Sequence, residues 1–196
     1  MFTGIIKLQG RFLGFRNGRR EMGLEAAGLA GRLEVGDSLA INGTCLSLKA
    51  KERAALWFNL AQETLAKTTL GRLRPGDPLN LEPSLTLATA LGGHLLTGHV
   101  DAQSRVLKLA DRPPGKRMTL ALPPGSRPFL VDKGSVAVDG VSLTVAAVGA
   151  SSFEVELIPL TLENTTLGRR RPGDEVNLEY DILGKYVYNC LNRDKR

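Results

Sequence analysis

Four side chains of chemically capable types stand in ordered surroundings: Cys45, His99, Ser142 and Thr144. An unperturbed imidazole titrates near about 6.5, so His99 is suited to moving a proton at neutral pH. A histidine held by one hydrogen bond in a core or on a surface is the commoner finding. The Cys45 thiol is either a nucleophile or a small buried hydrophobe. Ser142 and Thr144 alternate with apolar neighbours in Val141-Ser142-Leu143-Thr144-Val145 and so share one strand face, where they line a pocket or simply meet water. Thr64 and Thr161 each follow an apolar run and offer a hydroxyl to a heteroaromatic ring or to a turn. His94 and His99 have no acidic or thiol cluster of ligand type around them, so no metal site is expected. Gly92-Gly93 and Gly98 lack the strand–GxGxxG–helix setting of a phosphate loop.

The elements that must position these residues come as an internal repeat. Shifted by 97 positions, residues 36–82 fall on residues 133–179 without a gap, and 20 of the 47 pairs are identical. Thr68 to Asp77 (TTLGRLRPGD) meets Thr165 to Asp174 (TTLGRRRPGD), and both copies continue to Asn-Leu-Glu, at Asn80 to Glu82 and Asn177 to Glu179. Thr3-Gly4-Ile5-Ile6 matches Thr97-Gly98-His99-Val100 at a slightly smaller offset. In this alignment Ile5 faces His99, Cys45 faces Ser142 and Ser47 faces Thr144, so the framework is kept while the reactive side chains differ. Each copy reads as all-β. Asn42-Gly43 and Asp139-Gly140 predict two-residue type I′ hairpins, which need positive φ at both central residues. Short alternating strands between such turns predict a small closed barrel per copy. The expected architecture is therefore all-β: two tandem homologous six-stranded Greek-key barrels over residues 1–90 and 91–184, then a short C-terminal helix over 185–196. Ser84 to Leu96 is the expected linker. Tyr186, Val187, Cys190 and Leu191 form the expected apolar stripe of the helix.

Composition narrows the function. There are 26 Lys+Arg against 20 Asp+Glu, much of the excess lying in short clusters: Arg16, Arg19 and Arg20; Arg169 to Arg171; Arg193, Lys195 and Arg196. A reader of single-stranded nucleic acid interleaves such charge with aromatic stacking platforms, and only 5% of this chain is aromatic. No nucleic-acid partner is expected. No apolar run is long enough to span a bilayer, and MFTGIIKLQGRF lacks the basic-then-apolar pattern of a secretory signal. With two cysteines, too few for a disulfide framework, the expectation is a cytoplasmic protein that does not engage membranes.

Several motifs together resemble those of the riboflavin synthase family, the α-subunit type with two lumazine-binding repeats. They are Met1-Phe2-Thr3-Gly4-Ile5, Asn42-Gly43-Thr44-Cys45-Leu46, and Gly92-Gly93-His94 through Gly98-His99-Val100-Asp101. The second half adds Asp139 to Val145, Ile158 to Glu163, Asn177 to Asp181 and Gly184-Lys185-Tyr186-Val187. The match runs from residue 1 to about residue 190 in the family's order and spacing.

That resemblance implies transfer of a four-carbon unit between two 6,7-dimethyl-8-ribityllumazine molecules, giving riboflavin and 5-amino-6-ribitylaminouracil with no metal or redox cofactor. It implies a homotrimer with the active site between subunits, and it leaves association with a lumazine synthase open. Carried over residue by residue, Gly4, Ile5, Ile6, Cys45, Leu46, Ser47, Asn59, Leu60, Ala61, Gln62, Glu63 and Thr64 match the first lumazine site. Gly98, His99, Val100, Ser142, Leu143, Thr144, Glu156, Leu157, Ile158, Pro159, Leu160 and Thr161 match the second. Lys133 matches a ligand-contacting lysine and Asp181 an acidic residue near the chemistry. His99, taken as close to Ser142, is expected to transfer protons, and Cys45 to stabilise or add to the other ring. Ser47 departs from the family's usual Thr but keeps its hydroxyl, and only eleven residues follow Lys185, fewer than the family's trimer-bundling helix usually has. A non-catalytic lumazine-binding antenna protein is the rival reading; such proteins lose polar residues in one half, whereas Cys45, His99, Ser142 and Thr144 are all present here.

Overall fold

The computed structural model describes residues 1–26 and 28–192, so the basic cluster Arg193, Lys195 and Arg196 lies outside the described residues. In the first repeat β1 (Leu8–Arg16), β2 (Glu21–Glu25), β3 (Ser38–Ile41), β4 (Thr44–Glu52), β5 (Ala55–Asn59) and β6 (Pro78–Pro83) form a closed antiparallel barrel. Its order is β1-β2-β5-β4-β3-β6, with β6 returning to β1. The second repeat supplies β7 (Ala102–Arg112), β8 (Gly115–Ala121), β9 (Ser135–Val138), β10 (Val141–Val148), β11 (Ser152–Leu157) and β12 (Glu175–Tyr180). They close in the same order, β7-β8-β11-β10-β9-β12. Short helices α1 (Gln62–Lys67) and α2 (Pro159–Asn164) follow β5 and β11, and α3 (Ile182–Leu191) ends the fold. The helix starts ahead of the expected residue 185 because Asp181 caps it, accepting from Leu183 N at 2.9 Å.

Alternation decides which side chains fill each barrel. In β4, Thr44, Leu46 and Leu48 are buried while Cys45 and Ser47 face outward; β10 repeats this with Val141, Leu143 and Val145 inward and Ser142 and Thr144 outward. Phe12, Leu39, Leu48, Leu56 and Phe58 make up much of the first core, and Val106, Val136, Val145, Phe153 and Val155 much of the second. Each such side chain contributes about 1.5–3 kcal/mol by leaving water. Bulges interrupt β1 at Phe12/Gly14 and β7 at Val106/Lys108, and again β4 at Leu48/Ala50 and β10 at Val145/Ala147. These are the same repeat positions. A bulge bends and twists a strand, which a sheet of six strands needs in order to close on itself.

The two barrels meet at their hairpin tips. Asn42-Gly43 and Asp139-Gly140 all have positive φ, as type I′ turns require. Glycine is needed here for a second reason: a Cβ on Gly43 would stand 2.7 Å from Gly140 N, and one on Gly140 would stand 2.7 Å from Gly43 N. Around this contact two buried asparagines reach across. Asn80 donates Nδ2–H to Asp139 O (3.0 Å) and its Oδ1 accepts from Thr166 N (2.8 Å). Asn177 donates to Asn42 O (2.8 Å) and accepts from Thr69 N (2.8 Å). Within each barrel the tip residue steadies its asparagine, Asn42 Oδ1 accepting from Asn80 N and Asp139 Oδ1 from Asn177 N.

A second polar knot lies on the outside of the first barrel. Glu21 accepts from Lys49, Arg16 and Asn17, and together these hydrogen bonds hold its carboxyl at about 2, down from 4.5. The Arg16 guanidinium also stacks on Trp57, 3.8 Å from the ring centroid. A depressed carboxyl binds its proton less readily folded than unfolded, so its stabilisation is complete above pH 4.5 and disappears as pH falls towards 2. Glu21→Gln is therefore expected to flatten the acid limb of a Tm-against-pH curve in that window. Parallel curves for wild type and variant would show that the cluster contributes nothing.

Candidate active site

Cys45 and Ser142 occupy the same place on their barrels, half-buried on the outward face just after the tip turn. What covers them does not come from their own repeat. Ser142 N donates to Gly4 O (2.9 Å) and Cys45 N to Gly98 O (2.8 Å). The contacts are tight enough to demand glycine: a Cβ on Gly4 would lie 2.6 Å from Ser142 Cβ, and one on Gly98 2.5 Å from Cys45 Cβ. Ile6 continues the exchange and packs into the core of the second barrel. The segment before each barrel's first strand thus lies on the other barrel.

This corrects the expected grouping of the two half-sites. Gly4, Ile5 and Ile6 come together with Ser142, not Cys45; Gly98, His99 and Val100 come together with Cys45, not Ser142. The physical reason is the antiparallel pairing of the two leading segments: Phe2 and Leu96 exchange both backbone hydrogen bonds, and each segment then runs onto the opposite barrel.

The imidazole beside Ser142 is consequently His94. Its Nδ1 is 2.7 Å from Ser142 Oγ, and Nε2 is buried with no partner among the described residues. Burial favours the neutral ring and lowers its pKa below 6.5, while the negative charge of nearby Asp181 pulls the other way. With the proton on Nε2, the Ser142 hydroxyl donates to Nδ1. Asp181, the cap of α3, is near enough for its charge to act on the His94 ring. His99 is exposed, and its backbone N–H donates to Thr97 Oγ1 at 3.3 Å.

The remaining expected residues follow from strand order. Leu46 and Leu143 point into the cores, whereas Ser47 and Thr144 are exposed beside Cys45 and Ser142. Asn59, Leu60, Ala61, Gln62, Glu63 and Thr64 lead from β5, the neighbour of β4, into α1; all but Leu60 and Thr64 are exposed. Glu156, Leu157, Ile158, Pro159, Leu160 and Thr161 lead likewise from β11 into α2, with Leu157 buried and Thr161 half-buried. Lys133, with φ +65°, precedes β9 and is close enough to help hold the Glu156 carboxyl down, behind the stronger pull of Arg117. Sequence reasoning weighed His94 only as a metal ligand and as part of a family motif, with no share in proton transfer. A local signal is Gly93 before it, where the backbone passes tightly by Thr3 and Ser142.

Known proteins share both the sequence and the fold. Residues 3–84 and 97–181 match the model of the lumazine binding domain, once per repeat. The riboflavin synthase of Brucella abortus is 42% identical over 202 residues, covering the whole of both chains. Those of Mycobacterium tuberculosis (strain CDC 1551 / Oshkosh) and Bacillus subtilis are 39% and 32% identical, covering 97% and 98% of this chain and 98% and 91% of theirs. Among solved structures, LumP complexed with 6,7-dimethyl-8-(1'-D-ribityl)lumazine superposes with a TM-score of 0.81 at 20% identity, over 91% of this chain and 98% of that one. LumP complexed with riboflavin gives 0.83 at 19%, over 92% and 99%. The fold is thus common to a wider set, but full-length identity of this order singles out one group within it, and the chain belongs to the riboflavin synthase family of tandem lumazine-binding domains.

Proposed function

We propose that the chain catalyses the dismutation of 6,7-dimethyl-8-ribityllumazine, one molecule passing a four-carbon unit to a second to give riboflavin and 5-amino-6-ribitylaminouracil. The observation that carries this reading is the duplicated site: two faces of one build, with Cys45 on one and Ser142 beside an imidazole on the other. A reaction that uses two copies of one molecule, as donor and as acceptor, calls for pockets alike in frame and unlike in reactive side chains. Two lumazines contain the same atoms as the two products, so the exchange consumes no outside oxidant.

The lumazine C7 methyl is acidic because its carbanion is delocalised into the ring. A neutral imidazole is the right base for it near pH 7, and His94, acting directly or through Ser142, takes that proton. Asp181 stabilises the imidazolium that forms. Cys45 stabilises or adds to the ring held on the other face, with His99 alongside. One lumazine lies against Cys45, Ser47, the Asn59–Thr64 turn and Gly98 to Val100, and the other against Ser142, Thr144, the Glu156–Thr161 turn and Gly4 to Ile6. Holding two large rings in register supplies much of the acceleration.

The two faces complete one another between subunits of a homotrimer. Support comes from α3, whose Leu183, Tyr186, Val187 and Leu191 are 57–75% exposed. Tyr188, also exposed, sets its ring edge-on to Phe129 at 5.1 Å. No described helix is long and apolar enough to cross a membrane. Two free thiols, Cys45 and Cys190, fit work in the reducing cytoplasm.

Incubating the chain with 6,7-dimethyl-8-ribityllumazine alone is expected to yield one riboflavin for every two lumazines consumed, followed spectrally. Lumazine that binds and stays unchanged would overturn the enzymatic reading in favour of an antenna protein. Lumazine that does not bind would overturn the ligand as well.

A further inference from the structure

Two buried glutamates have no part in the chemistry above. Glu82 is the penultimate residue of β6 and Glu179 that of β12; they are 7% and 3% exposed, and no lysine or arginine among the described residues forms a salt bridge with either. A buried carboxylate without a cation is costly unless hydrogen bonds satisfy it. Here every such bond comes from one dipeptide. Glu82 Oε1 accepts from Thr3 N (2.8 Å) and Thr3 Oγ1 (2.7 Å), and Oε2 from Gly4 N (2.9 Å). Glu179 Oε1 accepts from Thr97 N and Thr97 Oγ1 (both 2.7 Å), and Oε2 from Gly98 N (3.0 Å). The threonine hydroxyls pass the constraint on, accepting from Ile5 N at 3.1 Å and from His99 N at 3.3 Å.

Only an acceptor with two oxygens can take all three donors; a glutamine would turn its NH2 towards a peptide N–H. What the carboxylates hold is also particular. The dipeptide gripped by Glu82 of the first barrel is the one lying on Ser142 of the second, and the dipeptide gripped by Glu179 of the second lies on Cys45 of the first.

We propose that Glu82 and Glu179 are positioning residues that act crosswise: Glu82 sets the wall of the Ser142 half-site and Glu179 that of the Cys45 half-site. This rests on reading the two faces as lumazine half-sites. The glutamates touch neither reacting ring. They fix where Gly4-Ile5 and Gly98-His99 stand, and small displacements of such walls are expensive in rate.

The test uses Glu82→Gln and Glu179→Gln in the full chain, with turnover of 6,7-dimethyl-8-ribityllumazine and titration with riboflavin as readouts. Each variant is expected to lose about tenfold to a hundredfold in kcat/KM. The identifying result lies in double-mutant cycles. Glu82→Gln should be strongly non-additive with Ser142→Ala and additive with Cys45→Ser, although Cys45 belongs to its own barrel. Glu179→Gln should show the reverse. A role confined to barrel stability would make both pairs additive. Additivity throughout, coupling within the same barrel, or unchanged kcat/KM would overturn the proposal. Should a glutamine variant fail to fold, Thr3→Val and Thr97→Val remove only the hydroxyl relay, and the same crossed pattern is expected at smaller size. Wild type that neither converts nor binds lumazine would instead sink the half-site reading, a failure visible before any variant is made.

Discussion

His94→Gln is expected to lower kcat by about a hundredfold to ten-thousandfold while KM stays near its wild-type value. Glutamine keeps a hydrogen-bonding group near Ser142 Oγ, where Nδ1 now lies at 2.7 Å, but has no lone pair of useful basicity. The pH profile gives a second reading of the same residue. His94 must be neutral to accept a proton, and burial lowers its pKa, so the acid limb of kcat/KM in wild type is expected below pH 6.5. Asp181 favours the charged ring; Asp181→Asn removes that pull, lowers the pKa further and moves the acid limb to still lower pH. The ring's lowered pKa has the matching effect on stability, which is complete above pH 6.5 and declines as pH falls towards the folded value. If kcat of His94→Gln were unchanged and KM rose, the imidazole would be a binding group and the base would lie elsewhere, His99 being the next to test.

The largest loss of stability is expected from the asparagines between the barrels. Asn177→Ala deletes two hydrogen bonds and leaves Thr69 N and Asn42 O without partners in a buried interface. At about 1–3 kcal/mol per abandoned group the cost is roughly 4 kcal/mol. For a chain of this length that corresponds to a fall in Tm of roughly 8–16 °C. Asn177→Asp separates hydrogen bonding from shape, since it retains an acceptor for Thr69 N but opposes a second oxygen to Asn42 O. It should be nearly as damaging despite its equal size. Asn80→Ala should behave alike through Thr166 N and Asp139 O. A cost below about 1 kcal/mol in calorimetry would mean that apolar contact alone joins the barrels.

Much of this was open to the sequence because it is written locally. The Asn42-Gly43 and Asp139-Gly140 turns declare their positive φ values, and the alternation from Val141 to Val145 declares which side chains leave the core. The repeat then makes two barrels from one argument. What stayed hidden depends on contacts between distant residues. Aligning the copies makes Gly4 and Gly98 equivalent, but it is silent on whether each lies on its own barrel or on the other, because the alternatives obey the same symmetry. His94 escaped for a related reason. At the offset that pairs residues 3–6 with 97–100, its counterpart would precede Met1, so comparing the copies has nothing to set beside it. The grip of Glu82 and Glu179 was visible only as a shared Asn-Leu-Glu, with no hint of what the carboxylates hold.

The reciprocal contact at the hairpin tips is of the kind made by two identical molecules about a two-fold axis: Asn80 does to the second repeat what Asn177 does to the first. Such a surface is self-complementary, and it reads as the remnant of a pair of separate one-barrel chains later joined by a link. Joining them released each half from having to match itself. Asn42 in one half could become Asp139 in the other, and Leu73 could become Arg170, which now pairs with Asp139 at 2.6 Å. The division of labour proposed for Cys45 and Ser142 draws on the same release, because identical halves would carry one and the same side chain at both positions.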